Sequence, residues 1–234
     1  MGPNRTLALA RDLLRSYPGL FIKPTARTGV VIEGSLSFSC TSGQHPSPVS
    51  DVFAVRIFAP DDMPDSLPTV EEIGGRIPKH QDYHMEADGT ICLETPFRIR
   101  MALRADPSLL GFVEDFLVPY LFGASVKLSG GDFPQGGWAH GPSGLLEDGR
   151  ALFGLQVDAQ VLRAFELVGM CKREANKRPC PCGCGKRLGN CVFRFKLAKL
   201  REATGASWAR EYAEKRFPKP AAKQIKGQPP RIAL

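Results

Sequence analysis

Residues 83–94 read YHMEADGTICLE, and within these twelve positions lie one histidine, three carboxylates, a glycine and a lone cysteine. Gly89 marks a turn, and Ile91 and Leu93 flank Cys92 with apolar side chains. A cysteine so placed has two readings. It fills a core, where free cysteine is commonly found, or it stands beside a turn as a reachable nucleophile. The surrounding chain has to decide between them.

Upstream, residues 5–17 place Leu7, Ala10, Leu13, Leu14 and Tyr17 at helical spacing before Pro18-Gly19 stops the pattern, which predicts an amphipathic opening helix. VVIEGSLSFS and VFAVRIFAP, on either side of the turn-rich SGQHPSPVSD, read as two strands, and TVEEIGGRIP as a third. Downstream, PSLLGFVEDFLVPYLFG spaces Leu109, Phe112, Val113, Phe116, Leu117 and Tyr120 along a wide apolar face, a helix for burial against the sheet. GGDFPQGGWAHGPSG reads as a long structured loop. Residues 158–170 read as a helix with Asp158 as its cap. FRFKLAKLREATGASWAREYAEK reads as one further helix, weakened by Gly205. PKPAAKQIKGQPPRIAL has little to bury and is expected to be disordered. The expected fold class is α+β, with an N-terminal helix, an antiparallel meander and later helices.

This order of elements, joined to HMEADGTICLE, resembles the ubiquitin-conjugating enzyme family, whose pattern is a histidine, a gap, then G-x-I-C-L ending on an acidic residue. VRIFAPDDMPDSLPTVEEI is similar to that family's strand, proline-rich turn and next strand. It looks especially like the divergent prokaryotic branch found in antiphage operons, whose members act beside an activating enzyme or a cyclic-oligonucleotide synthase. The resemblance covers roughly residues 5–155 and implies a ubiquitin-conjugating-enzyme-like domain over 1–157; a helical extension with a cysteine zinc knuckle is expected over 158–216 and a basic tail over 217–234. It implies that Cys92 is the thioester cysteine, Gly89 the glycine before it and His84 the histidine of the family's H-P-N triplet. Met85 and Glu86 stand where that triplet has proline and asparagine, so the asparagine's oxyanion role falls to some other donor. The partners implied are an activating enzyme, a ubiquitin-like protein or cyclic-oligonucleotide synthase C-terminus, and a target protein amine.

The chemistry accounts for these residue types. A thiolate accepts an acyl group from another thioester at little cost in free energy, because bonds of one kind are exchanged. Attack by an amine then needs a deprotonated nitrogen and a stabilised tetrahedral oxyanion. His84 is the first polar candidate and His140, in GGWAHG, the second, while Asp82, Glu86, Asp88 and Glu94 are possible acceptors for an incoming ammonium.

Five of the seven cysteines, Cys171, Cys180, Cys182, Cys184 and Cys191, fall within 21 positions. In a reducing compartment that clustering reads as a metal site before it reads as disulfides. RPCPCGCGKRLGNC resembles the SEC-C motif, a small zinc-binding unit: Cys180, Cys182 and Cys191 match its first three ligands, and Val192 occupies the position of the fourth. Tetrahedral zinc wants four ligands, so Cys184 or Cys171 completes the set, with Cys184 the nearer. An all-thiolate shell leaves no open position for water, which makes the expected zinc structural.

The net charge of +7 divides unevenly, since residues 172–234 hold 17 Lys and Arg against 4 Asp and Glu. Such a basic tail calls for an acidic partner. Nucleic acid is one class of partner, although few aromatic residues lie among these charges for base stacking. Arg11, Asp12 and Arg15 interrupt the first apolar segment, so a cleavable leader is not expected. No apolar run approaches the roughly 18 residues of a membrane span, and the expected compartment is the cytosol. Two further readings stay open: a non-catalytic module that binds ubiquitin-like proteins, and a nucleic-acid binder built on the zinc knuckle.

Overall fold

The computed structural model describes residues 3–42, 45–86, 88–133 and 141–216; His140 and the basic tail 217–234 lie outside the described residues. The chain opens with α1 (Pro3–Ser16), whose Ala10 and Leu13 are fully buried. Four antiparallel strands follow, β1 (Leu20–Lys23), β2 (Gly29–Ser42), β3 (His45–Pro60) and β4 (Thr69–Glu72), and they pair in sequence order. The long β2–β3 ladder runs from Gly29 opposite Pro60 to Ser42 opposite His45, with an irregularity at Cys40–Ser42. Alternation decides its inner face. Ile32, Leu36 and Phe38 on β2 and Phe53, Val55, Ile57 and Ala59 on β3 enter one core, while Ser35, Ser37 and Ser39 stay outside. On the outer face Glu33 accepts from Lys23 Nζ at 2.9 Å and from Arg56, and Arg56 also bonds Glu71 Oε2 at 2.7 Å.

After the Cys92 loop come α2 (Pro96–Ala105), α3 (Leu109–Phe112), a π-helical turn over Val113–Leu117 and α4 (Val118–Leu128). The π turn has a local cause. Pro119 lacks an N–H, and its ring clashes with a normal α-helical carbonyl four residues earlier, so the turn before it widens. The segment Leu109–Leu128 is long and apolar enough to cross a membrane by length and composition, contrary to the sequence expectation, but 61% of its apolar window is buried inside the protein. It serves as the core helix beneath the sheet, with Leu109, Phe112, Val113, Leu117, Tyr120 and Leu121 in the same core as the strands.

A second core is helical. It gathers Phe97 of α2 with α5 (Gly141–Phe153), α6 (Asp158–Gly169), α7 (Lys172–Lys177), α8 (Phe193–Thr204) and α9 (Ala206–Arg216). Phe165 packs edge-on to Phe153 and Phe97, and Trp208 stacks on Tyr212. Three local readings change. Residues 141–144 belong to α5 rather than to a loop, Asp158 is the first helical residue rather than the cap and instead accepts from Arg150 Nε at 3.0 Å, and the last helix is two. Gly205, at φ 82, divides α8 from α9 in a backbone conformation that β-carbon-bearing residues rarely adopt.

Arg100 ties the two cores together. It is 2% exposed, donates to the carbonyls of Thr204, Pro64 and Asp65 and to Asp65 Oδ1, and lies 4.8 Å over the Trp208 ring. These acceptors balance the cost of burying a guanidinium.

Candidate functional site

The Cys92 loop is built as a small hairpin docked on the sheet edge. Ile91 N–H donates to Val70 of β4 at 2.8 Å, and Thr90 bridges Glu71, so the loop continues the antiparallel order beyond β4. Within the hairpin Met85 bridges Ile91, Glu86 N–H donates to Thr90 at 2.9 Å, and the turn closes with Gly89 N–H on Glu86 at 2.9 Å. Asp88 Oδ1 accepts from Thr90 N–H at 2.9 Å, which fixes the tip from within. Buried Met85, Ile91 and Leu93 anchor the hairpin in the core, leaving Cys92 between them partly exposed.

The pairing brings chemistry together. Cys92 Sγ lies 3.3 Å from Glu86 Oε1, and Cys92 N–H donates to the His84 carbonyl at 2.8 Å. Glu86, one of the four carboxylates singled out from the sequence, is exposed. His84 is 3% exposed, has φ 51 and ψ 42, and sets its ring edge-on to Phe133 at 5.1 Å between centroids. A non-glycine residue in the left-handed region costs of order 1–3 kcal/mol and persists where the surroundings impose it. Here packing and the 2.8 Å bond from Cys92 impose it. Glu94, half-buried beside the loop, accepts from Thr95 N–H at 2.8 Å; burial pushes its carboxyl pKa up.

Tyr120, which its spacing places on the apolar core face of its helix, also reaches the site. Its hydroxyl donates to the Tyr83 carbonyl at 2.7 Å, and burial first, then nearby Cys92 and Glu72, push its pKa up. Lys127 Nζ holds the Asp82 carbonyl at 2.5 Å and lies over the Tyr83 ring at 4.8 Å. Two side chains of α4 thus support the Gln81–Tyr83 3-10 turn that leads into His84. Their separation in sequence from the loop left no local signal. Cys40 lies on β2, away from this hairpin in the pairing, and burial pushes its thiol pKa up.

The second constellation is the cysteine cluster. Cys180, Cys182, Cys184 and Cys191 bring their sulfur atoms within 4.8 Å of one another, with Cys180–Cys182 at 3.2 Å and Cys182–Cys191 at 3.7 Å. Cys171, exposed at the start of α7, is not a member of that group, so Cys184 completes the four. The loop folds back because Pro179 bridges Arg187, Cys180 N–H donates to Lys186 at 2.9 Å and Leu188 N–H to Arg178 at 2.8 Å. Gly183 and Gly185, at φ 81 and 73, make the two left-handed turns that point successive cysteines inward.

Burial pushes the Cys180 thiol up, whereas Cys184, exposed and receiving the Lys186 backbone N–H, is lowered to about 7. Phe193 N–H donates to Cys191 Sγ at 3.5 Å, the kind of outer contact that steadies a sulfur ligand. The donor number, the softness of sulfur and the convergence of the four atoms fit a metal ion. No protein-family model and no curated relative matches this chain.

Proposed function

We propose that the protein is a ubiquitin-conjugating-like acyltransferase that carries an activated protein C-terminus on Cys92 and passes it to an amine. The observation that carries this reading is the placement of Cys92: partly exposed on a hairpin after a helix and a four-stranded meander, ahead of the core helix, with a carboxylate 3.3 Å from its sulfur. The same order supports a ubiquitin-conjugating-enzyme-like fold for the body. A buried core cysteine would need none of this turn geometry.

In the first step the Cys92 thiol gives its proton to Glu86, Sγ bonds to the carbonyl carbon of the donor thioester, and the donor's carbon–sulfur bond breaks to release its thiolate. Glu86 then passes that proton to the released thiolate, and in the second step an amine nitrogen attacks the Cys92 thioester and loses a proton to the freed carboxylate. The carbon–nitrogen bond forms as the carbon–sulfur bond breaks, and Cys92 leaves as thiolate. His84 acts by ordering this loop, a role supported by its burial and its carbonyl's bond to Cys92. The donor is a ubiquitin-like protein or a cyclic-oligonucleotide synthase C-terminus, loaded by an activating enzyme in the cytosol as part of antiphage defence; this part of the reading rests on the resemblance of HMEADGTICLE.

The metal is zinc, held by Cys180, Cys182, Cys184 and Cys191 in a structural role. Four thiolates complete a tetrahedral shell and tie the α7 end to the start of α8. The test of the acyltransferase reading is a lysate of the native cells supplied with ATP. It predicts a higher-mass form of the protein on non-reducing gels that thiol reagents collapse and that Cys92→Ala does not form. A Cys92→Ala protein that forms the same thiol-sensitive species would overturn the reading.

A further inference from the structure

A cavity of about 320 Å³ opens between α7, the Leu188–Asn190 turn and α8. Lys172, Arg194 and Arg201 contribute to its wall together with Asn176, Leu188 and Phe195, and among the described residues no carboxylate lines it. Residues 172–201 hold ten Lys and Arg against the single Glu174, and Glu174 is engaged with Lys177 at 3.4 Å. Arg201 is held by the carbonyls of Leu167, Val168 and Met170, so one cation is fixed in the wall.

The cavity also carries an exposed ring. Phe195 is 62% exposed, with the Arg194 guanidinium 4.6 Å from its centroid, and Arg194 is anchored on the Gly189 carbonyl. Neighbouring Val192 is 81% exposed. A purely electrostatic surface for acidic peptide would use the cations and leave this ring in water. A phosphodiester chain with bases uses both, because cations take the phosphates and an aromatic face takes a base.

From this juxtaposition we infer that the α7–α8 cavity is a binding site for single-stranded polynucleotide, with phosphate held by Lys172 and Arg194 and one base stacked on Phe195. The site is independent of the chemistry at Cys92. It lies instead against the cysteine loop, whose Cys191 precedes α8 and whose Leu188 forms part of the cavity wall.

The experiment is fluorescence anisotropy of the full chain with labelled oligouridylate and oligothymidylate of equal length, with polyglutamate as competitor. Expected is binding that weakens with salt along a log–log slope of about −1.4, as for two phosphate contacts on a single strand. Phe195→Ala should weaken binding about tenfold and leave the slope unchanged. Lys172→Gln with Arg194→Gln should flatten the slope by about 1.4. Arg15→Gln, a charge removed from exposed α1, should change neither. Binding of either oligonucleotide with this pattern upholds the site. No binding at low salt, Phe195→Ala binding as tightly as the unaltered chain, or polyglutamate displacing the oligonucleotide as well as unlabelled strand would overturn it. Phe195 is exposed enough for its removal to leave the fold intact, and an unchanged melting curve checks this.

Discussion

Cys92 Sγ lies 3.3 Å from Glu86 Oε1, six residues earlier on the facing arm of one hairpin. The carboxylate is therefore in reach of both protons that the proposed transfer must move. Glu86→Gln keeps the shape and a hydrogen-bonding oxygen but removes the base. Single-turnover transfer should slow about a hundredfold, with unchanged far-ultraviolet circular dichroism. A rate within twofold of the unaltered protein would assign proton transfer to solvent or another group.

Asp51 joins three elements. It takes Arg76 at 2.7 Å and Ser125 Oγ of α4 at 2.7 Å, and Arg76 first holds its pKa down to about 2. A carboxylate depressed in the folded state contributes stability above its unfolded value near 3.9, and that contribution disappears as pH falls toward 2. Asp51→Asn should cost about 1–2 kcal/mol at pH 7 and almost nothing at pH 2. Urea denaturation at both pH values measures the difference; equal losses would remove the ionised pair as its source.

Metal removal should act locally. Chelation, or Cys182→Ser, should release about one zinc per chain and loosen α7 and α8, because Cys180 belongs to the second core and Cys182 and Cys191 pack against it. The sheet body has its own core. Amide hydrogen exchange should therefore accelerate in residues 172–204 and remain slow in β2 and β3. A metal-free preparation with unchanged protection in α7 and α8 would contradict the proposed structural role of the metal.

Local patterns were readable and distant ones were not. β2 and β3 announced themselves through β-branched and aromatic alternation, and the four converging cysteines through close spacing, since a metal loop is made by neighbours in sequence. The four-residue strand LFIK was missed because no alternation develops over so short a run, and it forms by pairing with Val31–Gly34. The widened turn before Pro119 and the break at Gly205 each have a visible residue as cause, but the apolar spacing on either side of each continues at helical period and hides the interruption. Arg100 gave no signal, because its partners lie 35 and 104 residues away. At the site, Glu86 was visible as one acid among four. Only the Met85–Ile91 bridge singles it out by setting it beside Cys92.

The central claim is that Cys92 carries an acyl group, and its most direct measurement is the chemistry of the bond made when serine replaces it. An oxygen ester resists thiols and yields to alkali, whereas a thioester yields to both. Cys92→Ser, incubated with ATP in a lysate of its native cells, purified and digested, should give a peptide spanning residue 92 that bears a protein C-terminus through a thiol-resistant, alkali-labile ester. Intact Cys92 should give the thiol-labile form at the same position. Acyl attachment at any other residue, or native Cys92 resisting alkylation while Cys92→Ala retains full transfer, would contradict the account.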